Sequence, residues 1–240
     1  MNNLILDFSG VYPLEGLDTI HSLEWIDLTH LKGTSMYCSD ESGQTIRSLI
    51  QPYGYHGIHF IDNGNYHYVS LFFLEMIQKP FTLLLFDHHP DMQDPLVPSL
   101  LSCGNWVKQA LQQCDPLQHV IMVGPKKTID DPRITIIDDT MIHNIHDLHH
   151  YYSYLDMPYP LYISIDKDVL SINDEKTNWD QGNMHLTTLV FLLNHTFIHH
   201  PILGVDICGE CDLSMLDPDA LALDGLTNTK LYHLLHHLMV

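Results

Sequence analysis

Basic residues are scarce in this chain: 10 Lys and Arg stand against 30 Asp and Glu, a formal net charge of -20. Such a surface repels phosphate backbones and anionic lipid, which argues against nucleic acid and membrane as partners and in favour of cationic ligands. Cysteine is sparse too. Five thiols scattered over 240 residues do not make a secreted disulfide framework. Cys208 and Cys211 form a lone C-x-x-C, "CGEC"; with no second pair to complete a zinc site, they are read as incidental buried thiols. No apolar run is long enough to cross a bilayer. The opening "MNNLILDFSG" has no basic start and meets an acid at Asp7, unlike a signal peptide. The expectation is a soluble cytoplasmic protein. Repeats, low-complexity stretches and linkers are also missing, so a single domain over residues 1–240 is expected.

What is present is an α/β pattern. At 45% hydrophobic the chain has material for a real core. Apolar runs recur at 2–7, 57–62, 81–87, 119–124, 134–138, 160–166 and 202–206. Helical periodicity lies between several of them, at 68–78, 105–113 and 186–195, with a further helical stretch at 229–238. Strands rich in Ile, Leu and Val that alternate with helices predict a mostly parallel sheet covered on both faces. Ligands of such sheets bind beyond the carboxyl ends of the strands.

Three of these strands end in acid. "FTLLLFD" runs into "HHPD", "PLYISID" into "KD", and "ILGVD" into "ICGE". Asp87, His89 and Asp91 alternate at i, i+2 and i+4, so an extended chain there projects all three to one side. Asp166 and Asp168 repeat the spacing, with Lys167 between them facing the opposite way and read as a salt-bridge partner. His67 follows in a Gly/Asn loop after another strand. Taken singly, these residues have ordinary readings: a polar loop residue for His67, helix caps for Asp166 and Asp168. Together they supply carboxylates and imidazoles in a proportion foreign to structural zinc and suited to Mn²⁺ or a two-metal site. Without dications such carboxylates repel one another and take up protons. The 19 His include two further tracts, 143–150 and 232–239, whose spacing is that of helix surfaces.

The succession "GNYH", "DHHPD", "SIDKD" resembles the arginase/agmatinase (ureohydrolase) superfamily over roughly residues 57 to 212. The resemblance implies a single three-layer αβα domain and a hydrolase that cleaves a guanidino C–N bond to give urea and an amine such as ornithine. It implies two Mn²⁺ ions, other divalent metals being admitted by the same donors. His67, Asp87, Asp91 and Asp166 would hold one, and Asp87, His89, Asp166 and Asp168 the other. Asp168 would also act as a catalytic proton carrier, and Glu210 as the guanidinium-binding carboxylate, supported by Asp206. Asn105 and Asp180 are further substrate-contact candidates, Trp179 lying in the same stretch. The partner would be a small cationic guanidino compound or an arginine-containing peptide; an oligomer is left open.

The chain also departs from that pattern. Asn65 and Tyr66 replace a Gly and an Asp of the first element. Val107 stands where arginases carry a proton-shuttling His, which leaves His88 and His185 as substitutes. "DICGE" has one residue more between its Asp and Glu than the family form. Two alternatives stay open: a metal-dependent amidohydrolase or deacetylase on the same fold, and a non-catalytic metal-binding partner protein.

Overall fold

The computed structural model describes residues 2–138, 148–215 and 217–240; the His-rich stretch 143–147 lies outside the described residues. The chain forms, in order, β1 (Asn3–Asp7), α1 (Tyr12–Glu15), β2 (Leu23–Asp27), β3 (Tyr37–Cys38), α2 (Asp40–Ile50), β4 (Ile58–Phe60) and α3 (Val69–Leu74). There follow β5 (Phe81–Phe86), β6 (Leu101–Ser102), α4 (Trp106–Gln113), β7 (Leu117–Gly124), β8 (Ile134–Asp138) and α5 (Leu148–Tyr154). The last elements are β9 (Leu161–Asp166), α6 (Leu186–His199), β10 (Ile202–Cys208) and α7 (Pro218–Met239).

Eight strands make one sheet in the order β2-β1-β4-β10-β9-β5-β7-β8, every pair parallel. β3 and β6 form a separate antiparallel pair. The central strands are buried throughout, which is why they read as unbroken apolar runs. Successive side chains serve opposite layers. On β5, Leu84 and Phe86 join a core with Tyr151 of α5, Leu189 of α6 and Leu231 of α7. Leu83 and Leu85 join the other core, with Ile46 of α2, Phe72 of α3 and Ala110 of α4. Three layers result, as expected. α2 is the longest helix the periodicity missed. Ser39 caps it by accepting from Ser42 N, Asp40 and Glu41 stand in its first turn, and Arg47 in its last, each placed to oppose the helix dipole.

β4, β10, β9 and β5 are neighbours at the middle of the sheet. The segments leaving their carboxyl ends carry His67, Cys208, Asp166 and Asp87, and register aligns them. Asp206 lies opposite Ser164, and Cys208 opposite Asp166. With a period of two, all four side chains face the same layer, the one containing α3 and α4.

Candidate metal centre

Asp87 immediately follows β5, and its carboxylate Oδ1 accepts from His89 N at 2.5 Å. The chain then turns instead of staying extended: Asp91 takes a left-handed backbone, φ +49°, a conformation Asp tolerates better than most residues. That turn, rather than strand alternation, brings Asp91 beside the others and corrects the extended-chain expectation. The indole Nε1–H of Trp106 then holds Asp91 Oδ2 at 2.6 Å. Asp166 has two duties. Oδ1 accepts from Asp168 N at 3.0 Å and caps the short helical turn 167–169, while Oδ2 points into the cluster.

His67 Nδ1 faces three carboxylates at once: Asp87 Oδ2 at 3.3 Å, Asp91 Oδ2 at 3.2 Å and Asp166 Oδ2 at 3.3 Å. Its other ring nitrogen lies 3.0 Å from Ser164 Oγ. Ser164 gives its only proton to Asp206 Oδ1 at 2.6 Å, so it accepts from His67 Nε2–H. Burial alone would lower the His67 pKa, but the charge on Cys208 and the hydrogen bonds to Asp166, Asp87 and Asp91 raise it well above its usual range. In the neutral imidazole a metal requires, the Nδ1 lone pair would face those three carboxylate oxygens inside a buried site. Asp87 Oδ2 has no hydrogen-bond donor among the described residues. A cation among these four donors resolves the conflict. Two donors about 2.1 Å from one ion and at right angles stand about 3 Å apart, close to the separations present.

A second donor set shares Asp87. His89 Nδ1 lies 2.7 Å from Asp168 Oδ2 and 3.8 Å from Asp87 Oδ1, and its Nε2 lies 3.1 Å from Asp180 Oδ1. Both candidate imidazoles thus turn Nδ1 inward and have Nε2 held by a partner behind, an arrangement that fixes tautomer and orientation in metal sites. Burial, then the charges of Asp168 and Asp91, raise the Asp87 carboxyl well above its usual range. Burial and the charge of Asp166 push Asp168 up to about 7. Burial alone would lower His89, but the Asp168 carboxylate overrides it and lifts the imidazole to about 10. This is the electrostatic signature of carboxylates crowded without enough positive charge.

All six predicted metal ligands come together here. The cleft above them has a volume of about 130 Å³, and its walls include Gly64, Gln93, Cys103, Gly104, Lys127 and Trp179. Asp180 stands at the rim, exposed, against His89. His88 is its neighbour there, with Nε2 3.7 Å from Asp180 Oδ2. His185 caps α6 and pairs with Asp174, and Val107 is sealed in the core of α4.

Two predicted substrate contacts lie elsewhere. Gly209 turns the chain with φ +97°, and a Cβ there would stand 2.5 Å from Asp166 Oδ1. Bare backbone therefore packs against the cluster, and Glu210 is carried to the opposite layer. There it is fully buried, accepting from Lys167 Nζ at 2.5 Å and Asn228 Nδ2 at 2.9 Å. Lys167 also reaches Glu175 at 2.9 Å, as the salt-bridge reading of Lys167 requires. Asn105 is buried beside the cleft, accepting from Ser102 N and donating to Leu100 O, both at 2.9 Å; it orders the loop instead of lining the cavity. Asp206 backs Ser164 and His67, not Glu210.

Two residues of the site, Trp106 and Ser164, have no reading from sequence, and a third, Cys208, has there only that of an incidental buried thiol. Trp106 gave no signal beyond its place after "CGN". Ser164 was legible as the residue two before Asp166 on the same strand face. Cys208, at the end of β10, donates to Asp166 Oδ2 at 3.2 Å.

A parallel α/β domain with two carboxylate–imidazole donor sets at the ends of its central strands belongs to the class of metal-dependent hydrolases. The model of the Arginase family matches residues 57–174. An uncharacterized protein of Thermotoga maritima is 30% identical over 217 residues, covering 87% of this chain and 79% of that one. Among solved structures, a hypothetical agmatinase from Burkholderia thailandensis superposes with a TM-score of 0.69 at 14% identity, covering 98% of this chain and 86% of that one. The formimidoylglutamase of Bacillus subtilis gives 0.66 at 15%, covering 97% and 86%. The chain belongs to the arginase family, a group of hydrolases acting on the C–N bonds of amidines. Among the described residues, no helix is long and apolar enough to cross a membrane.

Proposed function

We propose that this protein hydrolyses the guanidino C–N bond of arginine or an arginine-derived compound, releasing urea and an amine, with two divalent cations held by the paired donor sets. The observation that carries the reading is the convergence of three carboxylate oxygens within 3.3 Å of His67 Nδ1, joined through Asp87 to the set of His89 and Asp168. His67, Asp87, Asp91 and Asp166 would hold one ion, and Asp87, His89, Asp166 and Asp168 the other; donors so rich in carboxylate suit Mn²⁺. Bound dications supply Lewis acidity and lower the pKa of water toward neutrality.

The chain's own groups do the rest. Asp168, held by the His88 N–H on Oδ1 at 2.9 Å, would take a proton from the attacking water and return it to the departing amine. Asp180 fixes the His89 tautomer and, being exposed, links the site to solvent in place of the His that Val107 replaces. Trp179 gives the rim an aromatic wall suited to a planar cation. A cleft of about 130 Å³ encloses a head group and leaves its tail outside, so arginine within a peptide fits the reading as well as free arginine.

One observation favours a second reading. Glu210 is sealed away from the cleft, so among the described residues no acid beyond the candidate ligands and the rim Asp180 is left to clamp a guanidinium. A formimino group, the kind of substrate named for the B. subtilis enzyme, is also a planar cation but has one nitrogen fewer to clamp, and Lys127 would take a carboxylate tail.

The test is product analysis on Mn²⁺-loaded protein offered arginine, agmatine, an arginine-containing peptide and a formimino amino acid. Asp91→Asn, which keeps the left-handed turn, is the control. Urea release lost in the control supports the first reading; formamide release supports the second. No product from any of the four from a protein holding two ions overturns both.

A further inference from the structure

We infer that Cys208 is a ligand of the ion held by His67 and Asp166, giving that position a thiolate and a preference for softer metals than its neighbour. The inference rests on the metal-centre reading above but adds a residue and a selectivity to it. The geometry comes from the sheet. Cys208 ends β10 directly across from Asp166 at the end of β9, and both side chains leave the same face. Sγ is 3.2 Å from Asp166 Oδ2, the oxygen that also faces His67 Nδ1 at 3.3 Å. One donor atom each from His67, Asp166 and Cys208 lies within 4.8 Å of the other two.

The thiol is fully buried and donates to an oxygen already committed to the cluster. On metal uptake the Sγ–H bond breaks, its proton goes to solvent, and the sulfur's electron pair forms the bond to the ion. Thiolate shifts a site toward Zn²⁺ or Co²⁺ and away from Mn²⁺, while the set of Asp87, His89 and Asp168, all oxygen and nitrogen, keeps its preference for harder ions. The outcome is a centre whose two positions differ in metal preference.

Cobalt tests this without relying on turnover. The wild-type protein loaded with Co²⁺ is expected to show a near-ultraviolet sulfur-to-cobalt charge-transfer band. Cys208→Ser removes it while still binding cobalt, and lowers the preference for Zn²⁺ over Mn²⁺ by about tenfold or more, the scale of losing a supporting group at a metal site. Cys211→Ser and Cys103→Ser keep the band; Cys103 is the necessary comparison because it also lines the cleft. Should Cys208→Ser fail to fold, X-ray absorption of the zinc-loaded wild type replaces it, with one sulfur expected at about 2.3 Å. Bound cobalt without the band, a band that survives in Cys208→Ser, or zinc with no sulfur neighbour overturns the assignment. A protein that takes up no metal overturns the underlying centre as well.

Discussion

Lys167 and Glu210 form an ion pair with Nζ and Oε2 2.5 Å apart and both side chains fully buried. Glu175 completes the grip on the ammonium at 2.9 Å. The pair lies beneath the carboxylate–imidazole cluster, on the reverse side of the two-residue step from Asp166 to Asp168. Removing the cation alone leaves buried carboxylates uncompensated, so Lys167→Met is expected to cost about 3–5 kcal/mol. Adding Glu210→Gln and Glu175→Gln should recover part of it. Urea unfolding of the metal-free proteins measures both. Glu210→Gln by itself should leave KM for the substrate within about twofold, a result a substrate clamp would not give.

Trp106 offers a cleaner view of ligand orientation. Its indole N–H on Asp91 Oδ2 is the kind of outer support whose loss weakens metal binding about 10–100-fold. Trp106→Phe keeps the aromatic volume and deletes only the donor. Titration calorimetry with Mn²⁺ should show that loss at one of two sites, and a larger one for Asp91→Asn. Equal affinities in wild type and Trp106→Phe would remove the tryptophan from the site.

Chelation should lower thermal stability, because an ion bound to the native state alone adds about 2.7 kcal/mol at a free concentration 100 times its Kd. The two donor sets share Asp87, so Asp87→Ala should abolish the whole metal-dependent rise in Tm. His89→Ala should leave part of it. A full shift in Asp87→Ala would mean that the stabilising ion binds elsewhere.

Acid sensitivity has a source away from the cluster. His59 of β4 is fully buried, stacked on Phe73 with centroids 4.3 Å apart, and neither ring nitrogen has a hydrogen-bond partner among the described residues. Burial lowers its pKa from 6.5 to about 3. Between those values the unfolded chain binds a proton that the native protein refuses, so stability is full above about pH 6.5 and falls as pH drops toward 3. His59→Phe preserves the stack and should reduce proton uptake on unfolding by about half a proton at pH 6.5, rising to about one at pH 5. Identical pH slopes for the two proteins would clear His59 of the effect.

Much of this was legible in the sequence for one reason: parallel strands buried on both faces must be written in apolar residues, and their ends then stand out. β5, β9 and β10 announce themselves, and so do the acids that follow them. β2 does not, because an edge strand reading "LEWID" is half exposed and alternates less cleanly. Glu210 could not be placed from spacing, since one glycine with a left-handed backbone decides which layer the next side chain enters. Cys208 was hidden for a related reason. The sequence pairs it with Cys211, three residues on, whereas the sheet pairs it with Asp166, 42 residues away.

Asp166 anchors a turn of backbone with one oxygen and faces the cluster with the other. Deleting that carboxylate would blur lost chemistry with lost architecture, so a dead variant made there would be hard to interpret. Asp91 is different: an indole steadies it, and asparagine accepts its unusual turn. Investigators seeking an inert but intact form, whether for trapping a substrate or for separating a partner-binding role from turnover, have their separation-of-function position at 91.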